Sequence, residues 1–292
     1  MDIIMIPKIL GIDAYLVMAL IGFAAGIMLG VVRRKKYGYD MRDIIAMFCA
    51  IVGGLIIGSR ILFTITEIPA IVNHNFSWEI INQRVINAGY VFYGGVLGAL
   101  LAIYILSKYM KTDARKMLNF VVPTLSFFHA FGRIGCLLQG CCYGVESTWG
   151  VTLFGETVKR IPVQLFEAIG LIFITAILLL LESDAMSKGK TIALTPIYLG
   201  LYAPLRFMLE LVRGDILRGV FTINVNYATT DGKFDTVFKL STSQIISIII
   251  MIVLMIYVWH GFAVAKREKR AASAADDTAV AEESESSENA DE

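Results

Sequence analysis

Seven long apolar runs constrain this chain more than any other feature. They lie at about 12–32, 44–66, 90–109, 117–138, 163–182, 192–212 and 242–262. A helix needs roughly 20 apolar residues to cross a hydrocarbon core of about 30 Å. Hydrophobic residues make up 57% of the chain, more than a soluble domain of this size has interior to hold. The fourth and sixth runs contain polar or charged residues, but omitting either breaks the charge pattern between runs. The sequence predicts an all-α integral membrane protein with seven transmembrane helices.

Basic residues in short loops mark the cytoplasmic side. Arg33, Arg34, Lys35 and Lys36 follow the first run, and Lys108, Lys111, Arg115 and Lys116 follow the third. Lys188 and Lys190 follow the fifth, and Lys266, Arg267, Lys269 and Arg270 the seventh. Every odd run leads into a basic segment, which sets the N-terminus outside and the C-terminus in the cytoplasm. The first run has its basic cluster after it, the reverse of a cleaved signal peptide, and is read as a retained helix. Residues 1–265 form the membrane domain. The segment 266–292 turns from basic to acidic, is poor in large apolar residues, and is expected to be a disordered cytoplasmic tail. No feature points to nucleic acid.

Charges inside membrane helices are costly and usually functional. Arg60 falls near the outward end of the second run and Arg133 in the outer part of the fourth. Glu167 opens the fifth, and Arg206, Glu210 and Arg213 share one face of the sixth. Long arginines near helix ends can snorkel to the interface. Four at one depth, with carboxylates to orient them, read instead as a cationic pocket for an anionic group such as a lipid phosphate. Gly94 and Gly95 open the third run; they serve close helix packing or let a headgroup approach the backbone.

These residues fall in ordered blocks. The run His129-Ala-Phe-Gly-Arg133-Ile-Gly-Cys136-Leu-Leu-Gln139-Gly-Cys141-Cys142-Tyr143-Gly144 resembles the signature of prolipoprotein diacylglyceryl transferases, GRIGNFINGE followed by an aromatic-Gly pair. Gly58-Ser-Arg60, Tyr93-Gly94-Gly95, Trp149-Gly150-Val151 and Pro162-Val-Gln164-Leu-Phe166-Glu167 resemble the family's G-A-R, H-G-G, WGV and PTQLYE blocks. Arg206 to Arg213 resembles RFxxExxR, and Ser243-Gln244-Ile245 resembles G-Q-L. The match covers roughly residues 10–262.

The resemblance implies a seven-helix enzyme of the bacterial plasma membrane whose site faces the outer leaflet. Its reaction moves the diacylglyceryl group of phosphatidylglycerol to the lipobox cysteine thiol of a prolipoprotein, and no metal or organic cofactor is required. Arg133 and Arg206 match the family's critical arginines, for phosphate binding and leaving-group stabilisation. Arg60, Gly94, Gly95, Gln139, Glu167, Glu210 and Arg213 match substrate-binding or supporting positions.

Five positions depart from the pattern. Tyr93 replaces the H-G-G histidine, the favoured catalytic base, and Cys136, Gln139 and Cys141 replace Asn, Asn and Glu. Asn119 stands where an Asp is usual. A tyrosine with a pKa near 10 is a poor base at neutral pH, so His129, one turn before Arg133, becomes the candidate proton acceptor, with a packed intramembrane histidine as the alternative. Cys136, Cys141 and Cys142 allow packing, a disulfide, or metal or covalent chemistry. Two further functions fit the same arginines. One is a paralogue using another acceptor or only binding anionic lipid. The other is an anion or lipid transporter, which would carry charge through the full depth of the bundle, whereas the intramembrane charges singled out here stop in the outer half.

Overall fold

The computed structural model describes residues 7–73, 92–152, 157–214, 220–227 and 234–264. The tail expected at 266–292 lies outside the described residues. Each apolar run is a helix: α1 (Ala14–Tyr37), α2 (Met41–Asn73), α3 (Phe92–Tyr109), α4 (Ala114–Gln139), α5 (Val163–Ser187), α6 (Leu194–Leu211) and α7 (Thr242–Val264). Five of them, α1, α2, α4, α5 and α7, are long and apolar enough to cross a membrane, and α3 holds a shorter apolar helix. Leu20, Met28, Leu97, Phe173, Leu180, Met255 and Trp259 are exposed on their outer faces. Such surface suits lipid, where helices satisfy their own backbone polar groups. The chain is a multi-pass, predominantly helical membrane protein.

Outside the helices, the described residues hold three two-stranded antiparallel ribbons. β1 (Lys8–Ile9) pairs with β2 (Ile12–Asp13) ahead of α1. β3 (Glu146–Thr152) pairs with β4 (Lys159–Arg160) between α4 and α5, and β5 (Val220–Tyr227) with β6 (Phe234–Ser241) between α6 and α7.

The helices pair antiparallel along two glycine-lined seams. A Cβ on Gly135 would stand against Tyr15, one on Gly26 against Thr124 and one on Gly30 against Phe120, so α1 runs down α4. The α2–α3 seam is closer. A Cβ on Gly54 would come to 2.5 Å from the Gly98 carbonyl oxygen, and one on Gly95 to 2.5 Å from Ser59 Oγ. Gly58 and Gly94 face one another in the same way. Any side chain here would force the helices apart. The side of Gly94 and Gly95 that a side chain would fill is occupied by α2.

The remaining contacts gather the ends that matter. α5 packs on α4, and α6 packs on both. The starts of α1 and α5, the ends of α4 and α6 and the start of α7 thus fall at one end of the bundle. That last start is a reciprocal capping box: Gln244 N–H donates to Ser241 Oγ at 3.2 Å, while Ser241 N–H donates to Gln244 Oε1 at 2.9 Å.

Candidate active site

Glu167 is the centre of this end. It lies in the second turn of α5, after Pro162, whose fixed φ suits a helix start, and it is buried. Arg133 Nε is 3.2 Å from its Oε1 and Arg206 Nη1 is 3.4 Å from its Oε2. Tyr202 donates its hydroxyl to Oε1 at 2.9 Å. Arg206 reaches on with Nη2, 2.7 Å from Glu210 Oε2 and 3.3 Å from Ser243 Oγ. Arg213 Nη1 lies 3.8 Å from the same Glu210 oxygen. One network thus holds Arg133, Glu167, Arg206, Glu210 and Arg213, three arginines against two carboxylates among the described residues.

Arg133 is held in an informative way. Its Nε donates to His129 Nε2 at 3.3 Å as well as facing Glu167. Among the described residues no hydrogen bond or ion pair engages either terminal nitrogen, which leaves the planar fork that suits two phosphate oxygens. His129 Nε2 points at a permanent cation, and the ring stands edge-on to Tyr202 with centroids 5.5 Å apart. A lone pair engaged by a guanidinium is poorly placed to take a proton.

The other sequence candidates are placed as follows. Arg60 is half-buried on α2, and Thr64 Oγ1 donates to its carbonyl at 2.9 Å. Gln139 is exposed at the last turn of α4. Tyr93 lies in the first turn of α3, and its side chain is outside the described residues. Three supporting residues were named only as motif members or not at all: Tyr202, Ser243 and Gln164. Gln164 is buried and donates Nε2 to the Cys141 carbonyl at 2.6 Å, which ties the loop after α4 to α5.

That loop is pinned on a second side. Gly140 closes α4 in the left-handed region at φ 73°, and Cys142 also has positive φ, at 63°. Gly144 N–H donates to the Ile161 carbonyl at 3.0 Å, Val145 N–H to the Val212 carbonyl at 2.9 Å, and Gly214 N–H to the Tyr143 carbonyl at 3.0 Å. This lays the loop against Arg213. All three cysteines of the region are free thiols, and their sulfurs lie within 4.8 Å of one another. Hydrogen bonds from Cys136 and Cys141, then the Arg213 guanidinium, draw the Cys142 thiol below its usual range.

The opposite end of the bundle corrects two expectations. Arg33 is not a loop cation that only sets orientation. It is buried in α1 and paired with Glu182 of α5, through Nε at 2.9 Å and through Nη2. Tyr37 donates its hydroxyl to Glu182 at 2.5 Å. Arg33 Nη1 donates to the Phe120 carbonyl at 2.7 Å, and Nη2 to the Asn119 carbonyl at 3.1 Å. The latter is the carbonyl that Pro123 deprives of its usual helical N–H. The buried charges therefore do not stop at one end, and their confinement no longer counts against a transporter. This second pair is closed on itself, however: Arg33 faces Glu182, two backbone carbonyls and Thr124 Oγ1, and Glu182 faces Arg33 and the Tyr37 hydroxyl, rather than a path. Asn119 acts locally, accepting from Leu194 N–H at 2.9 Å and donating to the Ile192 carbonyl at 2.7 Å, which fixes the start of α6.

Comparison with known sequences agrees with the motif blocks. The profile of a family described as prolipoprotein diacylglyceryl transferase matches residues 2–260. The phosphatidylglycerol–prolipoprotein diacylglyceryl transferase of Clostridium tetani is 31% identical over 252 residues, covering 84% of this chain and 91% of that protein. The enzyme numbered 2 under that name in Clostridium perfringens is 32% identical over 257 residues, covering 83% and 88%. A more distant relative of the same name from Polynucleobacter asymbioticus is 27% identical over 208 residues, covering 68% and 77%.

Proposed function

The chain belongs to the prolipoprotein diacylglyceryl transferase family, and we propose that it moves the diacylglyceryl group of phosphatidylglycerol to the lipobox cysteine thiol of a prolipoprotein. A thioether forms and glycerol phosphate leaves. In this reading all seven helices span the bacterial plasma membrane, the N-terminus is outside, and the Glu167 end faces the outer leaflet. Residues 1–265 are the catalytic domain and 266–292 a cytoplasmic tail.

The observation that supports the reading is the Arg133 fork, held from behind at Nε by Glu167 and His129, with neither terminal nitrogen engaged by another described residue. The thiolate sulfur attacks the glycerol carbon that bears the phosphodiester. That carbon–oxygen bond breaks, and its electron pair leaves on the phosphate. Arg133 grips the phosphate oxygens and Arg206, braced by Glu167 and Glu210, meets the charge growing on the leaving group. Cations fixed before the reaction act most strongly in a site that excludes water. Arg213, Arg60 and Gln139 line the approach of the headgroup and peptide, while Gly94 and Gly95 set the α2–α3 wall beside it. Tyr93 stands at the place of the family's histidine, and His129 positions Arg133.

Two measurements test this. Purified protein given phosphatidylglycerol and a lipobox peptide should yield the diacylglyceryl thioether by mass spectrometry, and absence of adduct from folded protein would sink the assignment. Replacing His129 by Gln keeps an acceptor for Arg133 Nε, so the transfer rate should stay within about tenfold of wild type. A general base would be worth about 10²–10⁴-fold, and a loss of that size would return the proton to His129.

A further inference from the structure

The reaction needs a thiolate, and the residues above supply no base for it. Tyr93 replaces the family's histidine, His129 Nε2 is engaged by Arg133, and both carboxylates of the site are bound to arginines. Beside them stand three thiols that the family's signature lacks. Cys136 projects from the last turn of α4 and is buried; Cys141 and Cys142 are half-buried on the loop, and every pair of sulfurs lies within 4.8 Å. Thiolates held about 2.3 Å from a tetrahedral zinc ion are about 3.8 Å apart. The three sulfurs therefore need to close by about 1 Å at most, and two of them are on a loop.

We propose that Cys136, Cys141 and Cys142 bind one thiophilic divalent cation, zinc by their chemistry, whose fourth position takes the lipobox thiol as a thiolate. The proposal rests on the transferase reading and assigns its missing proton step. Three protein ligands with one open position are the arrangement of a catalytic rather than a structural zinc site, and a thiol that coordinates zinc loses its proton outright. The substrate S–H bond breaks on coordination, and the proton goes to water displaced from the fourth position. The sulfur then forms its bond to the glycerol carbon as the carbon–oxygen bond breaks, and the phosphate monoester carries away the electron pair. The metal changes neither charge nor oxidation state.

Three further observations fit. Cys136 follows Arg133 by three residues, one helical turn on the same face. The phosphate-gripping fork and the sulfur cluster are thus neighbours. Three thiolates on a dication carry a net negative charge, and the loop that holds two of them lies against Arg213, whose charge offsets it. Gln164, which holds the Cys141 carbonyl, is buried with its Oε1 unpartnered among the described residues. It offers an acceptor for water or an incoming peptide N–H next to the open position.

The test uses the full chain, purified without oxygen and loaded with cobalt(II) in place of zinc. Wild type should bind one cobalt per chain and show an intense sulfur-to-cobalt charge-transfer band in the near ultraviolet. Adding a lipobox cysteine peptide should raise that band by about a third, as three thiolates become four, and a serine counterpart should leave it unchanged. Cys136→Ser and Cys141→Ser should each lower the metal content severalfold, with thermal melts confirming that the variants fold. The wild-type titration needs no variant. No stoichiometric cobalt, a disulfide within the trio in this preparation, or a band that ignores the cysteine peptide overturns the proposal. Transfer by demonstrably metal-free protein overturns it too and leaves the transferase reading intact. A peptide-dependent band without thioether product supports the thiol site and removes the transferase reading instead.

Discussion

Arg133→Ala is expected to lower diacylglyceryl transfer by about 10²–10³-fold, the cost of removing one preorganised donor from developing charge. Among the arginines of the site it gives the cleanest test. Without it, Glu167 still has Arg206 Nη1 at 3.4 Å and the Tyr202 hydroxyl at 2.9 Å, so no buried carboxylate is abandoned. Removing Arg206 would strip a partner from Glu167 and from Glu210 together and confuse folding with chemistry. Arg133→Lys keeps the charge and loses the fork; a point charge replaces bidentate recognition, so most of the loss should remain. Initial rates of thioether formation, normalised to folded protein by thermal melt, give the answer. Transfer by Arg133→Ala at the wild-type rate would remove Arg133 from the reaction.

How much of this site the sequence made legible depended on how each residue acts. Arg133, Glu167, Arg206 and Glu210 stood out because a charge within an apolar run is conspicuous, and helical spacing put the last two on one face. The meeting of Arg133 and Arg206 on Glu167 was not legible, since it depends on α4, α5 and α6 converging. Tyr202 and Ser243 carry no charge and do not stand out in an apolar run, yet Tyr202 bonds to Glu167 and Ser243 accepts from Arg206. Gln164 and Gln244 belong to motif blocks, yet their work is to hold a loop and cap a helix. β1, β2 and β4 are two residues long, too short for periodicity to reveal, whereas β5 alternates Phe221, Ile223, Val225 and Tyr227 with polar residues and carries a legible strand pattern. The cysteines were visible by spacing, but their meeting depends on the left-handed turn at Gly140 and on the tie from Gln164. The role of Arg33 is hidden in the sequence for a related reason. Counting basic residues after a span weighs each by sign and position, and nothing in that count reveals a carboxylate about 150 residues later on another helix.

The largest stability effect is expected there, at Glu182→Ala. The change would leave Arg33 buried with no counter-ion, and breaking a buried pair in this way costs about 3–5 kcal/mol. Tyr37 loses its acceptor in the same step. The melting temperature of the detergent-solubilised protein should fall sharply, while transfer per folded molecule stays near wild type, because the pair lies at the end of the bundle away from Glu167. Combining Arg33→Met with Glu182→Met separates charge from packing. Replacing both partners of a buried pair by apolar residues is often neutral, so the double variant should be more stable than Glu182→Ala. Recovery should nonetheless be incomplete. Arg33 also donates to the Asn119 carbonyl, which Pro123 leaves without its helical partner, and methionine offers no donor. If the double variant melts no higher than Glu182→Ala, the loss lies in packing and the buried charge is not what makes the single change costly. If it matches wild type, the Asn119 carbonyl has found another donor and Arg33 is dispensable to α4.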